Sequence, residues 1–405
     1  MISIDGLPAF ALDDSTLRVP TLRRLIREGA WAKRMTPVNP AVTWPNHTTM
    51  VTGDTPARHG VLYNGLLVRQ DGWPPVHVEP WRDKALMVRV PTVYDLAFRA
   101  GLSTAQVDWV AIQNPGTITW AFPERPNPDG PVEREVIAAG NATQDELATF
   151  TKRSIIRRDE IWTSAAVDII RAHKPNLLLF HLLNLDSVHH RNGPRTEAAR
   201  SAIAFADSCV ARVLNALDEA GLKDRTTVLV VSDHGFKAVR RNIRANAALA
   251  AQHLDKSAYV MAEGGMGLVY VLDRHKLREI ERLFAAVEGI SQVIPPARYK
   301  SLGLPSPGAN RQMANLVLAA KDGYAFANGT SAPVVVDAPA GDGQHGYLNT
   351  DPDMDAIFIA AGYGIRAGAR LDRIQNVDVA PTVAELLGVR LPHPEGHVLR
   401  AFLAK

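Results

Sequence analysis

The chain has 405 residues, with 45 basic and 42 acidic side chains, a net charge of +3 and a hydrophobic share of 46% that supplies a sizeable core. That near-balance excludes a dedicated nucleic-acid binder, which needs a concentrated basic face, and leaves room for a small anionic substrate. The single cysteine, Cys209, excludes an intrachain disulfide and a cysteine-built zinc cluster, and no apolar run approaches the roughly 18 residues of a membrane helix.

In chain order, Ile2-Ser3-Ile4 reads as a very short strand ending at Asp5. The expectation is that the native gene encodes more upstream, a signal sequence included; the protein is then periplasmic or secreted, and otherwise cytoplasmic. Thr21 is expected to cap a helix through Leu22, Leu25 and Ile26 that stops at Gly29. Pro45 suits the first turn of a helix running to Thr52, with Thr43 at or just before its N-terminus and Gly53 past its end. Residues 91–101 read as a helix, followed by the strand Ala105-Gln106-Val107. The Pro- and Gly-rich stretch 113–150 is expected to cover the sheet edge as a loop. Helical periodicity returns over 155–172 and 196–220, the second opened by Thr196 and carrying Cys209 on its apolar face. Leu177-Leu178-Leu179-Phe180 and Val228-Leu229-Val230-Val231 are buried strands. Residues 237–310 mix short elements and read as an inserted subdomain or lid within a single 1–405 catalytic domain. Pro381 and Gly388 bracket a last helix through Leu387. Alternating helices and strands predict an α/β fold: a mostly parallel central sheet with helices on both faces.

In such a sheet the carboxyl ends of the strands lie together and gather ligand sites. Asp5, Asp186 and the pair Asp233-His234 all follow strand-like runs there. Asp186 and His190 stand four apart, a spacing that serves one metal if the segment is helical, with His189 as the competing ligand. Asp233 and His234 can serve a metal together only if the chain turns after the strand, which Gly235 permits. Thr43 alone reads as an N-cap; with a metal beside it, the helix N-terminus favours an alkoxide and a phosphate. His345 sits in the glycine-rich loop 341–346. His47 and His59 read as structural hydrogen-bonders, and His181 as a satisfied core residue. Aspartate and histidine suit zinc or manganese.

These motifs stand in one order: Ile2-Ser3-Ile4-Asp5-Gly6, Thr43-Trp44-Pro45-Asn46-His47, His59-Gly60-Val61-Leu62-Tyr63-Asn64, Asp186 with His190 and Gly193-Pro194, Ser232-Asp233-His234-Gly235, and Gln344-His345-Gly346-Tyr347. Together they resemble the nucleotide pyrophosphatase/phosphodiesterase branch of the alkaline phosphatase superfamily, over residues 2 to about 390. The resemblance implies an alkaline-phosphatase-like fold and two zinc ions per chain. Asp186, His190 and His345 would hold one; Asp5, Asp233, His234 and the Thr43 oxygen would hold the other. It implies Thr43 as nucleophile through a phosphothreonine intermediate, with Asn64 on a non-bridging phosphoryl oxygen. Gly193-Pro194 favours His190 over His189. Two departures stand out: Trp44 where phenylalanine is common, and His189 where a small residue is usual.

The expected reaction is hydrolysis of phosphodiester or pyrophosphate bonds in small, nucleotide-type substrates. A phosphomonoesterase or phosphonoacetate hydrolase on the same two-metal site is the alternative, and a non-catalytic zinc-binding protein is a third. The resemblance implies that a phosphomonoesterase of this kind adds Lys and Arg near the phosphate from the segment around 105–125, which here has no basic residue before Arg125; that favours the diester. Trp44, Trp109 and Trp120 are the candidates to contact its second group.

Overall fold

A computed structural model describes residues 1–404. Its main sheet runs in the order Arg370–Gln375, Ala30–Thr36, Ala356–Gly362, Thr227–Val231, Ile2–Ile4, Leu177–Leu182, Thr104–Val107, Trp120–Phe122. All neighbours pair in parallel except Ala356–Gly362, which opposes the strands on both its sides. The apolar runs work because successive strand residues face opposite ways. Phe180, Leu182, Val230 and Ile359 enter one core with Leu22, Trp162, Ile169 and Val210 from the helices Pro20–Glu28, Ile155–His173 and Glu197–Glu219. Leu177, Leu179, Leu229, Val231 and Phe358 enter the other, against Met50, Tyr94, Ala97 and Val383 from Thr43–Thr52, Val93–Arg99 and Val379–Leu387. Each such side chain contributes about 1.5–3 kcal/mol by leaving water. Helices therefore cover both faces, as expected.

Helix ends follow local chemistry where a side chain can reach the free N–H groups. Thr92 and Asp95 form a capping box, and Ser154 and Thr196 accept from the N–H groups of Arg157 and Ala199. Thr21 does not cap. It lies inside Pro20–Glu28, whose free N–H groups at Thr21 and Leu22 instead donate to the buried carboxylate of Asp207. That carboxylate belongs to the helix Glu197–Glu219, so the cap is tertiary and invisible to a local reading.

The stretch 113–150 is not a loop over the sheet edge. Trp120–Phe122 is itself the edge strand, and Pro131–Ala138 and Gln144–Ala148 are helices. Pro131 starts the first, and a Thr143–Glu146 capping box starts the second.

A second unit lies between the main-sheet strands Thr227–Val231 and Ala356–Gly362. Its antiparallel sheet runs Ala258–Glu263, Met266–Val271, Leu316–Ala320, Ile290–Ile294, with Ile280 and Phe284 of the helix Leu277–Ala286 packed on it. Leu316–Ala320 pairs with the strands on both its sides, so this packed unit extends past residue 310. The chain returns through Gly343–Gln344, antiparallel to Lys237–Ala238.

Candidate active site

Each candidate ligand sits just past the carboxyl end of a main-sheet strand or on a loop folded over that edge. Asp5 follows Ile2–Ile4 directly. Asp233 and His234 follow Thr227–Val231 after Ser232 leaves the strand. Asp186 and His190 lie on the helix Asn184–Asn192, which follows Leu177–Leu182. The start of that helix is fixed by Asp159, whose two carboxylate oxygens accept from the N–H groups of Leu183 and Asn184 at 3.0 and 3.1 Å. His345 arrives on the return from the second unit.

Two groups of donor atoms converge there: Asp5, Asp233 and His234 in one, and Asp186, His234 and His345 in the other, each within a 4.8 Å span. His234 Nε2 lies 3.4 Å from Asp5 Oδ1 and 3.1 Å from Asp233 Oδ2. Asp186 Oδ1 lies 3.5 Å from His190 Nε2 and 3.8 Å from His345 Nε2. The rings of His234 and His345 stack at 3.9 Å, so the groups are contiguous.

The register between the adjacent histidines follows from their partners. His190 donates from Nδ1 to the Gly343 carbonyl, which leaves Nε2 toward Asp186. His189 is turned away, its Nδ1 donating to the Gly6 carbonyl. The other two histidines repeat the His190 pattern. His345 donates from Nδ1 to Ala41, and His234 to Gly235, so in all three the Nε2 lone pair faces the carboxylates. Fixing the tautomer through Nδ1 is what a metal-ligating histidine requires.

The donor set fits a divalent cation on a further observation. Asp5 Oδ1, Asp186 Oδ1, Asp233 Oδ2 and His234 Nε2 are buried without a hydrogen-bond partner. The remaining oxygens of two of these carboxylates are pinned: Asp5 Oδ2 accepts from His181, and Asp233 Oδ1 accepts from the Gly6 N–H. Buried polar atoms left bare are costly, and here all the bare atoms face one another. Burial, then repulsion from Asp233 and Asp186, pushes the Asp5 carboxyl well above its usual range. Burial likewise opposes ionisation of Asp233, but His234 and His47 outweigh it and draw that carboxyl down. A bound divalent cation would relieve the crowding of like charges.

Thr43 is the first residue of its helix, preceded by extended Val42. It is bracketed by the site on both sides. Ala41 accepts from His345 and from the Gly346 N–H, while the His47 ring donates to the Thr43 carbonyl and stands 3.6 Å from Asp233 Oδ2. Asn64 Oδ1 accepts from the Trp44 N–H at 2.9 Å, so its amide nitrogen is the end left to donate. Trp44 and Trp109 line a cavity of about 390 Å³ with Trp81, Ile112, Ile118 and Arg125. Trp120 does not reach it; that ring stacks on His173 at the sheet edge.

Some residues at this site escaped the sequence reading. Phe236 lies against the rings of His189, His190, His234 and His345 at 4.9 to 5.9 Å, and nothing in its sequence context marks it. His181 is satisfied, as expected, but its partners are Asp5 and Asp108 rather than generic core groups. A polar ring inside the run from Leu177 to Leu182 was the available signal.

A profile of the family described as type I phosphodiesterase / nucleotide pyrophosphatase matches residues 1–348. The chain belongs to that family. Human ectonucleotide pyrophosphatase/phosphodiesterase family member 7 is 24% identical over 390 residues, covering 95% of this chain and 79% of its own. The structure of murine ectonucleotide pyrophosphatase / phosphodiesterase 5 superposes with a TM-score of 0.78 at 18% identity, covering 100% of this chain and 99% of that one. An inactive threonine-to-alanine variant of the same murine protein, solved in complex with AMP, superposes at 0.77 with 18% identity and covers 100% and 98%. The α/β architecture and the family membership thus agree with the order of the motifs.

Proposed function

We propose that this chain hydrolyses phosphodiester or pyrophosphate bonds of nucleotide-type substrates, with Thr43 as the nucleophile and two zinc ions as cofactors. The observation that carries the reading is the set of bare, buried, mutually facing ligand atoms directly beside the helix start at Thr43. Asp186, His190 and His345 would hold one ion; Asp5, Asp233, His234 and the Thr43 oxygen would hold the other. Bound zinc would supply charge stabilisation to the alkoxide and to the leaving oxygen.

The residues of the chain do the rest. Thr43 Oγ attacks phosphorus in line, the bond to the leaving group breaks, and a phosphothreonine forms. Water then attacks phosphorus, the bond to Thr43 Oγ breaks, and the remaining monoester leaves. The Thr43 N–H and the positive dipole end of the helix favour the phosphoryl oxygens, Pro45 having no N–H and the Trp44 and Asn46 N–H groups being taken by Asn64 and Val42. Asn64, held through Oδ1 by Trp44, presents its amide N–H groups to a non-bridging oxygen. The cavity behind Trp44 and Trp109 takes the second substituent of a diester. AMP in the related murine complex supports a nucleoside monophosphate as that half of the substrate. The unit from Lys237 to Gln344 belongs to the same catalytic domain: its turn at Gly264–Gly265 receives the His345 carbonyl and so steadies that ligand.

The test is hydrolysis of an aryl phosphodiester, a nucleotide aryl ester and an aryl phosphomonoester by zinc-loaded protein, with Thr43→Ala as control. A diester preference that falls by at least about 10³-fold in Thr43→Ala is expected. A monoester preference would replace the substrate class, and activity that survives Thr43→Ala would remove the nucleophile.

A further inference from the structure

We propose that His181 and Asp108 are positioning residues that hold Asp5 in its metal-facing orientation. The proposal rests on the reading of Asp5 as a metal ligand. Asp5 has one oxygen committed and one bare. Oδ2 accepts from His181 Nε2 at 3.0 Å, while Oδ1 is unpartnered and lies 3.4 Å from His234 Nε2. A carboxylate on a short side chain can rotate about its last bond. Tying Oδ2 to a fixed ring selects the rotamer that turns Oδ1 into the cluster.

The ring itself is fixed on every side. His181 sits beside Ser3 in register on the adjoining strand, 1% exposed. Its Nδ1 donates to the Asp108 carbonyl at 3.0 Å and lies 3.2 Å from Asp108 Oδ2. The His47 ring meets it edge-on at 4.5 Å, and Trp109 meets His47 in turn at 4.8 Å. Asp108 reaches Nδ1 because its backbone turns left-handed, at φ 56°, immediately after the strand Thr104–Val107. A non-glycine residue in that region costs about 1 kcal/mol or more and persists where its surroundings demand it. A plain core position in the middle strand of an apolar sheet is better served by an apolar side chain than by an imidazole needing two partners. Nδ1 thus has the Asp108 backbone carbonyl as its acceptor and the Asp108 carboxylate 3.2 Å away as a charge neighbour, while Nε2 serves Asp5, the carboxylate that faces the metal cluster.

The experiment measures zinc affinity of the full chain by competition with a chromophoric chelator, for wild type, His181→Phe, His181→Gln and Asp108→Gly. Asp108→Gly removes the carboxylate without straining the left-handed backbone. His181→Phe is expected to weaken one zinc equivalent by about 10–100-fold and leave the other unchanged, the size typical of losing an outer partner of a ligand. His181→Gln, which keeps an N–H for Asp5, recovers part of the loss, and Asp108→Gly weakens the same equivalent by a few-fold. Folded His181→Phe and Asp108→Gly that both bind zinc like wild type overturn the proposal; if His181→Phe does not fold, Asp108→Gly decides alone. A wild-type chain that binds no zinc removes the metal reading, and this one with it, which is a different result from unchanged affinity in the variants.

Discussion

Gly346→Ala should disable the site while sparing the fold. Gly346 has φ +78°, and a Cβ added there would lie 2.2 Å from the Glu263 carbonyl oxygen. The left-handed backbone alone costs alanine about 1–2 kcal/mol. The clash is the larger problem, because an unstrained carbon–oxygen contact needs roughly 1 Å more. Neither side can yield freely. Gly346 N–H donates to Ala41, His345 donates to Ala41 from its ring, and the His345 carbonyl accepts from Gly265 of the same hairpin turn that carries Glu263. The loop must therefore shift by about 1 Å at the residue following His345, whose Nε2 stands 3.8 Å from Asp186. A misplacement of that size costs about 10²-fold in rate. The assay is kcat/KM on an aryl phosphodiester at saturating zinc, with zinc stoichiometry and a thermal melt alongside. Gly341→Ala is the control: φ is +83°, but the nearest atom to its Cβ is at 3.4 Å. It should lower the melt without the activity loss. Wild-type kcat/KM in Gly346→Ala would refute the reasoning that this loop aims His345.

Further outcomes follow from other parts of the molecule. His59 is buried and pinned as a neutral ring, its Nδ1 accepting from Val61 and its Nε2 donating to Thr49, and burial lowers its pKa to about 3. Its unfolded value is near 6.5, so the unfolded chain binds the extra proton first. The stability this ring contributes is whole above pH 6.5 and falls by about 1.4 kcal/mol per unit as pH drops toward 3; chemical denaturation at pH 7 and 5 should show a smaller difference in His59→Gln than in wild type. Chelation should lower the melting temperature and zinc should restore it, since a ligand at a thousand times its Kd contributes about 4 kcal/mol; an unchanged melt counts against metal ions in this cluster. Arg125 lies over the Trp81 ring at 3.3 Å on the cavity wall. Because Arg125 also lines the cavity, Arg125→Ala should raise KM for a nucleotide aryl ester by about 5–30-fold, the worth of about one to two kcal/mol for one cationic contact to the substituent held there, with a smaller change on a bis-aryl diester that lacks the nucleoside. Equal effects on both substrates would move Arg125 out of substrate contact.

What the sequence disclosed, and what it withheld, divides by range. A helix with its own cap was readable at Thr196, three residues before the N–H it receives, whereas the equally local caps Thr92 and Ser154 emerged only with the structure. Pro45 placed Thr43 at a helix start for the same local reason. The cap of Pro20–Glu28 was not readable, because Asp207 comes from a distant helix. Residues 113–150 misled because their proline and glycine content was read as loop, whereas Pro131 begins a helix. The site was legible where chemistry concentrates at strand ends, in Asp5, Asp186, His190, Asp233 and His234. The residues packed around those candidate side chains, Asp108, Asp159, His181 and Phe236, meet their partners only through the fold.

The position of the first strand has a consequence for synthesis on the ribosome. Ile2–Ile4 lies in the middle of the main sheet, with Ile2 opposite Phe180 on one side and Val230 on the other. Its nearer partner is therefore translated roughly 180 residues later, which takes about 10–35 s at ordinary elongation rates. Throughout that interval an apolar strand has no sheet to join. The residue that ends it, Asp5, can meet Asp233 and His234 only after the next fifty or so residues have emerged. Convergence of that trio thus waits until His234 has emerged, long after the helix Thr43–Thr52 has been made.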